Sequence, residues 1–303
     1  MITEKIEGLI AAPYTPMNKD CSINTGVIRK YADKLKSDGL KGVFVCGTTG
    51  EGMLMTSRER MDVAEKWIVE QTENFRVIIH VGTTSSRQSF ELAKHASDKG
   101  AYAIGSMGPM FLKPSTVTDL VDFCAEVAAG APELPFYYYH IPSVSGINLS
   151  MSEFLMLAGE RIPNIAGIKF TDNNFMEMLK CIRLNEGKWD ILHGYDELLL
   201  AGLSFGAKGA VGSTYNFMAP LYYSIIDDFN NGKTDQARDK QFLSVKVINM
   251  LIKYGGAIAA GKALMKSAGI DCGPCRSPIK NIDDDNLSDL TKQLKELQLS
   301  DYI

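Results

Sequence analysis

A lysine between two core-type residues is the first position with evident chemical potential. In "GIKFTDNN", residues 167–174, Lys169 lies between Ile168 and Phe170 inside what reads as a buried strand. A charge in that setting is costly unless it is paired, deprotonated or used. Strand alternation places Gly167, Lys169 and Thr171 on one face, and Ile168 and Phe170 on the other. Two readings are open. Lys169 is either a structural lysine paired with an interior carboxylate, or an amine kept neutral by desolvation and able to attack a carbonyl. The second would form a Schiff base. Its protonated imine accepts the electrons of a breaking carbon–carbon bond, which is aldolase chemistry.

Three further stretches could serve such a lysine. "GTTGEG", residues 47–52, offers the hydroxyls of Thr48 and Thr49 and backbone N–H groups able to hold an anion such as a carboxylate. It lacks the Lys-Ser or Lys-Thr of a P-loop. A plain strand-to-helix turn with Glu51 near the helix start explains it equally well. In "YYYHIPSVSG", residues 137–146, Tyr137 and Tyr139 share one face opposite Tyr138, and Tyr139 stands nearest the Pro142 turn. A phenol there could shuttle a proton, although strand aromatics are usually core. In "HGYDELLLAGLSFGAKGAVGSTYN", residues 193–216, Asp196 and Glu197 suit a helix N-terminus. They and the Gly194 carbonyl would also accept hydrogen bonds from sugar-type hydroxyls, with Gly212 and Ser213 as further polar contacts.

The elements that must hold these residues recur regularly. Short β-rich apolar runs fall at 8–14, 41–47, 76–82, 101–108, 134–140, 165–171, 189–194 and 208–214. Amphipathic segments between them predict helices over about 25–38, 57–73, 85–99, 115–129, 151–160, 174–186, 195–205 and 219–231, with Ser57 as an N-cap and Gly100 as a C-cap. Alternating strand and helix implies parallel strands with right-handed crossovers. Eight such units favour a closed (β/α)8 TIM barrel, an α/β fold, over an open doubly wound sheet. No G-x-G-x-x-G follows the first strand, which weakens a dinucleotide-binding reading. In a barrel, Lys169 would face the interior near the C-terminal mouth, where active sites collect. Beyond residue 232 the β signal stops, and 234–254, 256–268 and 286–298 read as helices. The expected organisation is a catalytic barrel over 1–232 and a C-terminal helical extension over 233–303.

Composition excludes several classes. The 303 residues are 45% hydrophobic and 22% charged, an ordinary globular balance. A net charge of −4 gives no electrostatic case for nucleic acid or an anionic membrane. The opening "MITEKIEGLIAAPYTP" has no basic region followed by a long apolar run, so no signal peptide is expected. No stretch approaches the roughly 18 apolar residues of a membrane span, and a cytoplasmic location is the expectation. His80, His95, His140 and His193 show no metal-ligand spacing. "CGPC", Cys272 to Cys275, has the spacing of a redox pair but follows a helix-like segment into a loop, so a structural loop is expected.

Together "GTTGEG", "YYYHIP", "GIKFTD", "GYDE" and "GAVGSTYN" resemble the dihydrodipicolinate synthase/N-acetylneuraminate lyase superfamily of class I aldolases, in order and spacing over nearly the whole chain. The resemblance implies that Lys169 is the Schiff-base lysine for pyruvate and that Thr48 and Thr49 hold the pyruvate carboxylate. Tyr139 would assist proton transfer near that carboxylate and the C4 hydroxyl. Thr171, Gly194, Asp196, Glu197 and Ser213 fall where the lyases contact the sugar chain. It also implies a homotetramer and no cofactor beyond the covalent lysine imine with pyruvate. The synthases carry an arginine that clamps the carboxylate of a second substrate; here that position is Val144, and Asp196 and Glu197 would repel such an anion. Many relatives also have a Tyr-Tyr pair after the fourth strand that reaches a neighbouring subunit's site. Here "PMFLKP" supplies Phe111 and Leu112 instead. The likeness is therefore strongest to the sialic-acid-cleaving branch. Its rivals are another pyruvate aldolase (dihydrodipicolinate synthase or a keto-deoxy-sugar-acid aldolase) and a non-catalytic barrel that binds a sugar acid.

Overall fold

Eight short strands, each buried on both faces, close on themselves. The computed structural model describes residues 4–297. Strands β1 (Gly8–Ala11), β2 (Gly42–Val45), β3 (Arg76–His80), β4 (Ala103–Ser106), β5 (Phe136–His140), β6 (Ile165–Phe170), β7 (Asp190–His193) and β8 (Gly209–Gly212) form a parallel barrel in sequence order, with β8 pairing back onto β1. Every strand matches an apolar run of the sequence. Burial on both sides explains why those runs are near-continuous rather than alternating.

Helices α1 (Ile28–Ser37), α2 (Ser57–Val69), α3 (Ser86–Asp98), α4 (Val117–Ala128), the short α5 (Pro142–Ser145), α6 (Met151–Arg161), α7 (Phe175–Arg183), α8 (Leu199–Ser204) and α9 (Tyr215–Asn230) surround the barrel. Side-chain caps set the starts of α2, α3, α4, α6 and α7, because the first N–H groups of a helix lack partners. Thr56, not the expected Ser57, caps α2: it accepts from the Glu59 N–H in a capping box with Glu59. Gly100 follows α3 in the left-handed conformation (φ 81°), as a C-terminal glycine should.

Two apolar cores result. One fills the barrel with Ile10, Phe44, Ile78, Tyr137, Tyr139, Leu192 and Val211. The other fills the ring between strands and helices and includes Tyr138, Ile168 and Phe170. The β5–β6 pairing contains one irregularity that matters. Phe136 pairs with Ile165 and Tyr137 with Gly167, so Ala166 is an extra residue in β6. Ile165 packs in the outer core and Ala166 in the inner one. This bulge shifts the alternation by one residue and turns Lys169 inward.

After β8 and α9 the described extension is three helices and a loop: α10 (Thr234–Lys253) packs along α9, followed by α11 (Gly256–Leu264), a loop over 265–283, and α12 (Asp284–Glu296). Asp283 caps α12, and residue 298, the expected end of that helix, lies outside the described residues. No single described helix is long and apolar enough to cross a membrane.

Candidate active site

Lys169 and Tyr139 are register partners on β6 and β5. The lysine is only 4% exposed, and its Nζ lies 4.1 Å from the Tyr139 ring centroid and 4.4 Å from that of Phe44. No carboxylate among the described residues is within ion-pair distance of it. The structural reading of Lys169 therefore lacks the partner it requires. Two aromatic faces provide a weak cation site that leaves the nitrogen free to react.

The turn after β2 reaches the same point. Thr48 Oγ1 lies 3.4 Å from the Tyr139 hydroxyl, and Thr49 is half-buried beside it. Tyr138, by contrast, packs outward against Phe154, and the inward Tyr137 donates to Asp190 Oδ2 at 2.9 Å deeper in the barrel. Of the three tyrosines, Tyr139 is the one at the mouth.

The opposite rim comes from β6, β7 and β8. Thr171, one residue beyond β6, is buried with a hydroxyl that has no partner among the described residues. A Cβ at Gly194 would lie 1.9 Å from that hydroxyl, so only glycine fits there. Gly212 plays the same part for Asp196, whose Oδ1 would be 2.0 Å from an added Cβ. The two expected acidic groups differ. Asp196 Oδ2 accepts from the Thr214 N–H at 2.7 Å and from the Thr214 hydroxyl at 2.6 Å, so much of its capacity serves the rim itself. Burial raises its pKa, against the pull of those bonds and of Lys169. Glu197 is half-buried and raised by burial and then by the Asp196 charge. Ser213 is half-buried next to them. Val144, half-exposed on α5, brings no charge to the mouth.

Sequence reasoning passed over several contributors. Phe44 and His80 face inward at the ends of β2 and β3, and their rings pack on Tyr139. Both follow from the strand alternation that also places Lys169, while metal-ligand spacing says nothing of His80 in this position. Burial, then the Arg60 and Lys169 charges, hold the His80 imidazole well below its usual pKa, so it is neutral. Gln241 of α10 donates to the Asp196 carbonyl at 3.1 Å, a contact that no local pattern predicts. The "CGPC" cysteines sit in a loop with thiols pushed up by burial, to about 12 for Cys272 and about 11 for Cys275. A redox thiol needs the opposite shift.

The dihydrodipicolinate synthetase family matches residues 5–297. The N-acetylneuraminate lyase of Pongo abelii is 40% identical to this chain, covering 99% of it and 95% of that relative. The human N-acetylneuraminate lyase is 39% identical with the same coverage. Among solved structures, the N-acetylneuraminate lyase (sialic acid aldolase) of Aliivibrio salmonicida has a TM-score of 0.95 at 40% identity, covering 99% of this chain and 100% of that one. The Proteus mirabilis N-acetylneuraminate lyase has a TM-score of 0.94 at 42% identity, covering 97% and 99%.

Proposed function

Because the chain belongs to the dihydrodipicolinate synthetase family, we propose that it is a carbon–carbon lyase that reversibly cleaves N-acetylneuraminate to N-acetyl-D-mannosamine and pyruvate. The observation that carries this reading is Lys169: buried, without a carboxylate partner among the described residues, and beside the Tyr139 phenol at the barrel mouth.

In the proposed reaction the Lys169 amine attacks the C2 ketone of the open-chain sugar acid, and water leaves to give a protonated imine. Tyr139, or the substrate carboxylate itself, takes the proton of the C4 hydroxyl. The C3–C4 bond breaks, its electrons move to the iminium to form an enamine, and C4 departs as the aldehyde of N-acetylmannosamine. Protonation at C3 and hydrolysis then release pyruvate and restore the amine. The lysine imine is the electron sink, so the reaction as proposed uses no external cofactor.

Thr48 and Thr49 are assigned to the substrate carboxylate, and Thr171, Gly194, Asp196, Glu197, Gly212 and Ser213 to the sugar chain. Acidic groups on that rim suit a neutral polyol and disfavour a second carboxylate substrate. The catalytic unit is taken as residues 1–232 and the extension as 233–303. Phe111 and Leu112, 86% and 81% exposed after β4, favour an assembled state, which we take to be a homotetramer. Six unpaired cysteines fit the reducing cytoplasm. Assaying pyruvate release from N-acetylneuraminate beside condensation of pyruvate with aspartate semialdehyde tests the assignment. Cleavage without condensation supports it, and condensation alone would overturn it.

A further inference from the structure

Glu51 ends the Thr48–Thr49 turn in the left-handed conformation, with φ 56°. A non-glycine residue there is strained by about 1–2 kcal/mol. Its carboxylate is also fully buried, which is costly unless compensated. The compensation comes from the other end of the chain. Lys262 of α11, 1% exposed, donates to Glu51 Oε1 at 2.7 Å and to the Pro274 carbonyl at 2.7 Å. The Arg276 N–H donates to Glu51 Oε2 at 2.8 Å, and the Cys275 thiol lies beside the same carboxylate. The Arg276 guanidinium grips the Leu54 carbonyl and Glu59, just beyond the turn. On the far side the Thr15 hydroxyl donates to the Gly50 carbonyl at 2.6 Å. The "CGPC" loop and α11 thus hold one strained residue, and that residue's own N–H donates to the Thr48 carbonyl at 3.0 Å.

We propose that Lys262 and Glu51 are positioning residues for substrate-carboxylate recognition: the C-terminal extension, through this buried pair, fixes the turn that presents Thr48 and Thr49. The proposal rests on the reading of that turn as the carboxylate site. Removing the ammonium leaves the buried Glu51 carboxylate without its cationic partner, with the Arg276 N–H still donating to it. It must then move toward water or take a proton, and in either case the turn loses its anchor. Neither Glu51 nor Lys262 is bonded to Lys169 itself.

The test compares borohydride trapping at Lys169 by pyruvate and by hydroxyacetone, a ketone without the carboxylate. In Lys262→Met the half-saturating pyruvate concentration should rise roughly tenfold, while that of hydroxyacetone stays within about twofold. A merely structural role would shift both ketones together, and equal shifts, or none, overturn the proposal. Should K262M fail to fold, the charge-balanced double variant E51Q/K262M carries the same comparison with the same expected loss of preference. Absence of a wild-type adduct at Lys169 would overturn the underlying site reading, a result distinct from an unchanged preference in the variant.

Discussion

Lys169 Nζ stands 4.1 Å from the Tyr139 ring centroid because β5 and β6 bring the two residues into register at the mouth. The Tyr139 phenol oxygen lies 3.4 Å from the Thr48 hydroxyl, so one side chain links the proposed nucleophile and the proposed carboxylate site. Tyr139→Phe keeps the ring against Lys169 and removes only the hydroxyl. The turnover number should fall about a hundredfold to thousandfold with a small change in KM. Steady-state kinetics and retained imine trapping check this; a fall in trapping equal to the fall in turnover would assign the tyrosine to imine formation instead.

Thr48 and Thr49 are proposed to bind a carboxylate through their hydroxyls. Replacing either with valine, which conserves shape, should raise KM for the sugar acid and the inhibition constant of pyruvate roughly tenfold each, the scale of one hydrogen bond to a charged group. Parallel inhibition measurements on both variants decide it.

Asp196 and Glu197 are neighbours with different tasks. Asp196 holds the Thr214 N–H and hydroxyl, and Thr214 in turn shares a 2.6 Å contact with the Tyr222 hydroxyl. Asp196→Ala orphans buried donors and should cost about 2–4 kcal/mol of stability, visible as a lower Tm. Glu197→Gln should leave Tm nearly unchanged and raise KM for the sugar acid. Thermal melts beside kinetics separate the two.

The pH dependence of stability has two opposing sources. Asp190, buried at the base of the barrel, is raised to about 6, chiefly by burial. The folded protein therefore binds its proton more tightly than the unfolded chain, and the stability it contributes is lost as pH rises from about 4 through 6, by roughly 3 kcal/mol. His193, depressed by burial to about 4, contributes stability above its usual value near 6.5 that is lost as pH falls toward 4. The two slopes offset one another in the same window. Asp190→Asn keeps an acceptor for the Tyr137 hydroxyl and the Ile6 N–H but does not titrate. Denaturant unfolding at intervals from pH 4 to 7 should show D190N losing stability on acidification more steeply than wild type. Parallel curves for the two proteins would refute the Asp190 assignment.

Periodicity made the barrel legible because strands buried on both faces leave long apolar runs, and the β8–β1 closure is the one step those runs only favour. Lys169 was legible as an oddity of charge in an apolar run. The bulge at Ala166 that turns it inward was not, since a one-residue shift in pairing leaves no local mark. Thr56 displaced Ser57 as the α2 cap because its hydroxyl and the Glu59 carboxylate complete a reciprocal box. The Glu51–Lys262 pair spans 211 positions, and the Asp196–Gln241 contact joins barrel to extension. Such contacts depend on the closed fold, so they become visible only in three dimensions.

The central claim is that the Lys169 nitrogen becomes covalently bonded to a keto acid. Incubation with pyruvate, reduction by borohydride and peptide mass mapping test it directly. The predicted result is a carboxyethyl group on Lys169 and loss of lyase activity in proportion to its extent. An unmodified Lys169, or an adduct on another lysine with activity lost in step, would contradict it.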